Sequence, residues 1–227
     1  MVERPPLIAA SHGTHDLAGR VAIDELRDAV SRLASGVEVV EAYVDEKVQQ
    51  PGLSAVLADL AEAVVVPVLL SSGYHVHVDV TEAVAAADGR IRTSAALGPD
   101  PVLADVLVER LAQAGATEHA VVLAAAGSSD PRSASDVEWV ADLLAERLGR
   151  PVTPAYATAN VPRIPDAVAA LRAEGRPVAL ASYVLAPGHF YSRIATVDAD
   201  TATVPLLPHP AIAALVLRRY EEALTAG

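Results

Sequence analysis

Two histidines in this chain have the type and placement to bind a divalent metal ion or move protons. His12 follows the apolar run Pro6 to Ser11, and His75 follows the apolar run Val64 to Leu70. Each has a glycine beside or near it, Gly13 and Gly73, which permits a tight turn or close approach of a ligand. A neutral imidazole ligates borderline divalent metals and exchanges protons near neutral pH. A third apolar run ends Tyr43-Val44-Asp45-Glu46. A carboxylate there could accept protons, pair with an imidazolium or join a metal. Asp45 and Glu46 stand as alternatives for that role.

The other histidines carry weaker readings. His77 could be a spare ligand, and His15 belongs to the rim or the surface. His119 begins a strand and reads as structural, and His209 lies between two prolines in a surface turn. Gly127-Ser128-Ser129-Asp130 could cradle an anion on its N–H groups. It lacks a Walker lysine and a dinucleotide glycine pattern, so a Ser/Asp helix cap is the expected use. Trp139 is expected in the core or on a groove wall.

Positioning such residues requires a scaffold. Short apolar runs alternate with amphipathic stretches from end to end. Strands are predicted at 6–11, 37–44, 64–70, 91–97, 120–125, 152–157, 178–185 and 203–207. Helices are predicted at 16–33, 51–63, 78–87, 100–114, 134–148, 164–174, 191–197 and 210–224. The first helix carries Leu17, Val21, Leu26, Val30 and Leu33 near a 3.6-residue period. Strands apolar on both faces and joined by helices imply parallel sheets covered on both sides, an α/β fold. Ligands in such sheets bind beyond the carboxyl ends of the strands, where His12 and His75 fall.

The pattern reads as (βα)₄ twice. Ser11-His12-Gly13-Thr14 recurs as Ala125-Ala126-Gly127-Ser128, and Ser72-Gly73-Tyr74-His75 as Ala186-Pro187-Gly188-His189, each at an offset of 114. Ala42-Tyr43 recurs as Ala155-Tyr156 at 113. A duplicated unit follows, with expected domains 1–116 and 117–227. The copies are unequal. Where the first has His12, Asp45 or Glu46, and His75, the second has Ala126, Thr158 and His189. One active site built mainly on the first copy accounts for this better than two.

The chain has 227 residues, 52% apolar, with no cysteine and a formal net charge of −12. That length supports a real core, and the absence of cysteine excludes a disulfide scaffold, a zinc–thiolate centre and a thiol nucleophile. The acidity and the 4% aromatic content argue against a nucleic-acid partner. No run approaches the roughly 20 apolar residues of a membrane helix. The N-terminus lacks the pattern of a signal peptide. A cytoplasmic protein without a membrane partner is expected.

The Ser-His-Gly-Thr turn and the segment from Val66 to Val80 resemble the sirohydrochlorin chelatases. These are ATP-independent enzymes that insert Co²⁺ or Fe²⁺ into a tetrapyrrole. The family pattern is an H-G-S/T turn after the first strand and G-x-H-x-x-x-D-[IV] after the third. The chain has His12-Gly13-Thr14, and Gly73, His75, Asp79 and Val80. The resemblance covers the whole chain and implies two similar chelatase-like lobes with flanking helices and an interlobe cleft. It implies His12 and His75 as the metal-binding and proton-accepting pair, with Asp45 or Glu46 as the acid. Tyr43 and Val44 stand where the family has an aromatic–Leu pair, and Thr81 where it has Pro.

The substrate metal would be Fe²⁺ or Co²⁺, with Ni²⁺ a further candidate, and no nucleotide would be used. The partner would be sirohydrochlorin or a related tetrapyrrole, in a pathway to sirohaem or cobalamin. The cleft would include Arg20, Tyr43, Tyr74 and His189. Arg20, Lys47, Arg163 and Arg193 are candidates to meet the substrate's carboxylates. A chain holding both halves is expected to be a monomer. A non-catalytic metal or tetrapyrrole carrier is the alternative. A histidine phosphatase would need an arginine where Ser11 stands.

Overall fold

The computed structural model describes residues 4–71 and 74–225, with the side chains of residues 74–78 outside that description. Eight strands and eight helices alternate among the described residues. The first sheet comprises β1 (Leu7–Ser11), β2 (Val39–Tyr43), β3 (Glu62–Pro67) and β4 (Arg90–Thr93). Its helices are α1 (Leu17–Leu33), α2 (Leu53–Ala58) and α3 (Tyr74–Ala86). The second sheet comprises β5 (Ala120–Ala125), β6 (Val152–Tyr156), β7 (Val178–Tyr183) and β8 (Thr201–Ala202). Its helices are α4 (Pro101–Gln113), α5 (Pro131–Leu148), α6 (Ile164–Ala173) and α7 (His189–Ala195), and α8 (Pro210–Thr225) ends the chain.

The sheets run β2-β1-β3-β4 and β6-β5-β7-β8, parallel throughout. The central strands are buried end to end: Leu7 to Ser11 and Ala120 to Ala125 expose almost nothing. Such strands must be apolar on both faces, and each fully buried Val or Leu contributes about 1.5–3 kcal/mol. The strand predicted at 203–207 is the exception. Only Thr201 and Ala202 form the regular ladder with β7; beyond them the Thr203, Leu206 and Leu207 N–H groups donate to the Leu180, Val184 and Leu185 carbonyls at 2.9, 3.0 and 2.8 Å before the turn into α8.

The division of the chain differs from the expected 1–116 and 117–227. One compact unit comprises residues 1–98 and 208–227, the other 99–207. Each unit takes the helix that follows the other's last strand: α4 packs on α5 and β7, and α8 packs on α1, β3 and β4. An amphipathic helix specifies the face it buries, and the connections before it decide which sheet receives that face. Tyr220 of α8 is fully buried, and its hydroxyl donates to the Pro5 carbonyl at 2.7 Å.

Helix starts follow local chemistry. Asp16 caps α1 by accepting from Gly19 N–H at 2.9 Å, and Asp100 caps α4 ahead of Pro101. Asp130 caps α5 through Arg132 N–H, and Ser128 Oγ accepts from Asp130 N–H, so the Gly-Ser-Ser-Asp segment is a cap as expected. His209 is more than a turn residue: its Nδ1 accepts from Ala211 N–H at the start of α8. Two other expectations fail. Leu17, Val21 and Leu33 are 75%, 54% and 49% exposed, because α1 buries Gly19, Ala22, Leu26 and Val30 instead. Trp139 is 43% exposed and so outside the core, because α5 buries Val137, Val140 and Ala141 around it.

Candidate active site

His12 is the first exposed residue after β1. The segment after β2 is fastened to it through the backbone. Val44 N–H donates to Ser11 O at 2.9 Å, and Asp45 N–H donates to His12 O at 3.0 Å. Gly13 then turns the chain at φ +100, in space where a Cβ would lie 3.4 Å from Gln49 Cβ. Thr14 N–H donates to Gln49 Oε1 at 3.2 Å, and Arg20 Nε donates to Thr14 O at 2.8 Å. Arg20, expected at a substrate surface, thus braces the turn that carries His12.

Asp45 is half-buried, and its Oδ1 accepts from Lys47 N–H at 3.2 Å. Glu46 is exposed and folds over Gly52. A Cβ on Gly52 would stand 2.6 Å from Glu46 Oε2, so a side chain there would displace the carboxylate. On the far side, Asp79 precedes Val80, the buried residue through which α3 meets the core of Ile8, Ala10, Leu53 and Leu57. A cavity of about 700 Å³ opens among these elements, lined by His12, Val44, Asp45, Glu46, Lys47, Leu53, Ser54, Asp79, Glu82, Ala83 and Ala86.

Among the described residues, four carboxylates face one ammonium and one imidazole in this cavity. Such a field concentrates divalent cations and offers several proton acceptors. Among the described residues no three His, Asp or Glu side chains converge closely enough to hold a metal ion by themselves. An ion held by fewer protein donors keeps coordination positions open for another ligand.

Of the residues expected at the site, the structure brings His12, Asp45 and Glu46 together. His75 and Tyr74 fall in the first turn of α3, and their side chains lie outside the described residues, as does that of His77. Tyr43 does not line the cavity. It is buried, its hydroxyl accepts from Arg27 at 3.3 Å and donates to Glu41 at 3.2 Å, and burial holds it above its ordinary pKa, with Arg27 opposing. His189 is exposed at the start of α7, its ring edge-on to Phe190 at 5.5 Å. Asp79 figured in the sequence only as a motif residue, and Glu82 not at all. Their spacing of three on one helix was the available signal, since such residues share a face.

The second unit repeats the backbone without the chemistry. Thr158 N–H donates to Ala126 O at 2.9 Å, as Asp45 N–H does to His12 O. The Thr158 hydroxyl donates to the same carbonyl at 2.8 Å. Asn160 Oδ1 accepts from Ser128 N–H at 2.8 Å, in the place of Gln49. Offsets are 114 for β1 and β5, and 113 for β2 and β6. They are 115 for β3 and β7, where the sequence match had suggested 114.

Comparison with known proteins agrees with this architecture. SirB from Bacillus subtilis with Fe³⁺ is 21% identical, with a TM-score of 0.82 over 98% of this chain and 96% of that one. The sirohydrochlorin chelatase SirB from Bacillus subtilis subspecies spizizenii, in complex with cobalt, is 18% identical, with a TM-score of 0.76 over 97% and 95%. DR2241 from Deinococcus radiodurans, a multi-domain protein with structural similarity to chelatases, is 22% identical, with a TM-score of 0.64 over 96% of this chain and 54% of that one. No curated protein matches. The CbiX family model matches residues 6–114 and again 120–223, once for each copy of the duplicated unit, and the chain belongs to the CbiX family.

Proposed function

We propose that this protein is a sirohydrochlorin chelatase that inserts Fe²⁺ or Co²⁺ into the macrocycle, with the reacting site on the first unit and a degenerate repeat in the second. The observation that carries the reading is His12 at the mouth of a cavity that also holds Asp45, Glu46, Asp79 and Glu82. Family membership and the fold shared with SirB support it.

The chemistry follows from the groups present. The metal ion is a substrate, drawn to the four carboxylates and ligated by the His12 imidazole. Insertion releases two pyrrole protons for each ion bound, and the cavity's carboxylates accept them and pass them to water. His75, in the first turn of α3, is proposed as the second ligand and proton acceptor. Either Asp45 or Glu46 can relay, since both line the cavity. N and O donors of this kind suit Fe²⁺, Co²⁺ and Ni²⁺ alike.

The test is to mix the protein with sirohydrochlorin and each metal and to follow the absorption spectrum. Metallated product above the uncatalysed rate is expected. Binding of metal and macrocycle without acceleration would overturn the reading in favour of a carrier. The proposed assembly is a monomer, because one chain supplies both units, and an obligate dimer by sedimentation would count against it.

A further inference from the structure

We infer that Lys47 is a tethered counter-ion of the first unit's cavity. Its ammonium stands in for the divalent ion among the carboxylates and gives way when the ion arrives, so the ion is held loosely enough to leave again. The inference rests on the chelatase reading and adds how that site limits its own hold on the metal.

Lys47 is the only lysine in the chain, against sixteen arginines. It lines the cavity with Asp45, Glu46, Asp79 and Glu82, and no arginine does so among the described residues. Its backbone is fixed. The Lys47 N–H donates to Asp45 Oδ1 at 3.2 Å, inside a turn in which the Val48 and Gln49 N–H groups both donate to Asp45 O. Its side chain is not fixed. The residue is exposed, and its ammonium forms no ion pair among the described residues, whereas Arg27, Arg132, Arg147 and Arg172 each hold a carboxylate. An anchored base and an uncommitted head on a flexible stem let the charge reach the carboxylates and withdraw from them.

The residue type fits that task. A guanidinium forks onto a carboxylate through two parallel bonds and holds it, whereas an ammonium is a compact point charge with rotatable donors. A chain that uses arginine everywhere else has lysine where the cation must yield its place to another. The repeat supplies an independent observation. Strands β2 and β6 correspond at an offset of 113, which matches Asp45, Glu46 and Lys47 with Thr158, Ala159 and Asn160. Acids and ammonium are present together in one copy and absent together from the other. In the uncharged copy Thr158 N–H still reaches Ala126 O, so the lysine follows the carboxylates and not the turn.

The experiment titrates Co²⁺ alone into the full-length protein, without macrocycle, at low and at high salt. Lys47→Met keeps the apolar stem and removes the charge. It should bind Co²⁺ about tenfold more tightly than the wild type, and the gain should shrink at about 1 M salt, because a charge in a solvent-open cavity acts through a screened field. Lys47→Gln should repeat the gain, and Lys47→Arg should bind Co²⁺ no more tightly than the wild type. With sirohydrochlorin added, Lys47→Met should need less Co²⁺ for its half-maximal rate and reach a lower maximal rate, since an ion held harder leaves more slowly. Equal or weaker affinity in both neutral variants, a gain that salt does not reduce, or no Co²⁺ binding by any of these proteins would overturn the counter-ion. Metal insertion by the wild type is scored separately. Its failure overturns the chelatase reading, whereas the wrong order of affinities in a protein that does insert metal overturns only the counter-ion.

Discussion

The amide of Asp45 donates to the carbonyl of His12 at 3.0 Å, so a backbone bond holds together the two positions that carry the imidazole and the acid. The same bond joins Thr158 to Ala126 at 2.9 Å in the second unit, where neither side chain can do that chemistry. The frame is common to both copies, and the side chains placed on it are what differ.

His12→Ala should therefore abolish most turnover and leave the fold intact. The side chain is exposed, so stability should change by no more than about 0.5 kcal/mol. Metal insertion should fall about 10²-fold or more, the scale of lost acid–base assistance. His189→Ala should do far less, because its unit has Ala126 in place of the first histidine. Turnover and thermal midpoints measured together check this. An active His12→Ala enzyme would defeat the assignment.

The two turn glycines should respond unequally to alanine. Both have positive φ, +100 at Gly13 and +86 at Gly127, which costs an L-residue about 1–2 kcal/mol. At Gly13 the added Cβ meets Gln49 Cβ at 3.4 Å, a contact that can relax. At Gly127 it would stand 2.1 Å from the Thr158 carbonyl oxygen, which is backbone and must be pushed aside. Urea midpoints should show Gly127→Ala as the more damaging. The reverse order would mean that the second turn is the more pliant.

The paired tyrosines make a similar contrast. The Tyr43 hydroxyl bonds Arg27 and Glu41, whereas that of Tyr156 is buried with no partner among the described residues, and burial raises it above its ordinary pKa. Tyr43→Phe should cost about 1 kcal/mol. Tyr156→Phe should be neutral or stabilising, because it removes a buried polar atom that gains nothing. Denaturant titrations of the two variants decide it, and equal losses would contradict the contrast.

Asp200 links folding to acidity. Its carboxylate is held below the ordinary value first by the Val178 N–H, which donates at 2.8 Å, and then by Arg172. A carboxyl lowered on folding stabilises the protein above its unfolded pKa of about 4, and that contribution fades as pH falls through the lowered value. Asp200→Asn should melt below the wild type at pH 7. The gap should close as pH falls below the lowered value, where both side chains are neutral. A gap that persists into acid would assign the effect to something other than the charge.

Several features follow from the sequence alone, because they depend on local pattern. Ile8, Ala10, Val64 and Val65 are apolar without alternation, and only a strand covered on both faces accommodates that. Once such a strand ends, the next polar residue meets solvent at the sheet's carboxyl edge, which places His12. The near-constant offset between Ser11 and Ala125 and between Tyr43 and Tyr156 exposes the duplication. Asp16, Asp100 and Asp130 mark helix starts because an Asp side chain satisfies N–H groups that the helix cannot.

The tertiary structure decided what depends on contacts between distant residues. The periodicity of α4 shows that Leu103, Val106, Leu107 and Leu111 share a buried face, and it holds no information about which sheet receives them. The exchange of α4 and α8 between units was therefore unreadable. Leu17 and Val21 fit a helical stripe as well as Ala22 and Leu26 do, and only the packing of α8 against α1 selects the latter. Glu82 joins the cavity because α3 turns that face toward the segment after β2. Arg163 and Arg193 stand thirty positions apart and meet because the end of β6 presents a carbonyl to both. Local pattern records which face of an element is buried, whereas the partner on that face is settled only when the whole chain packs.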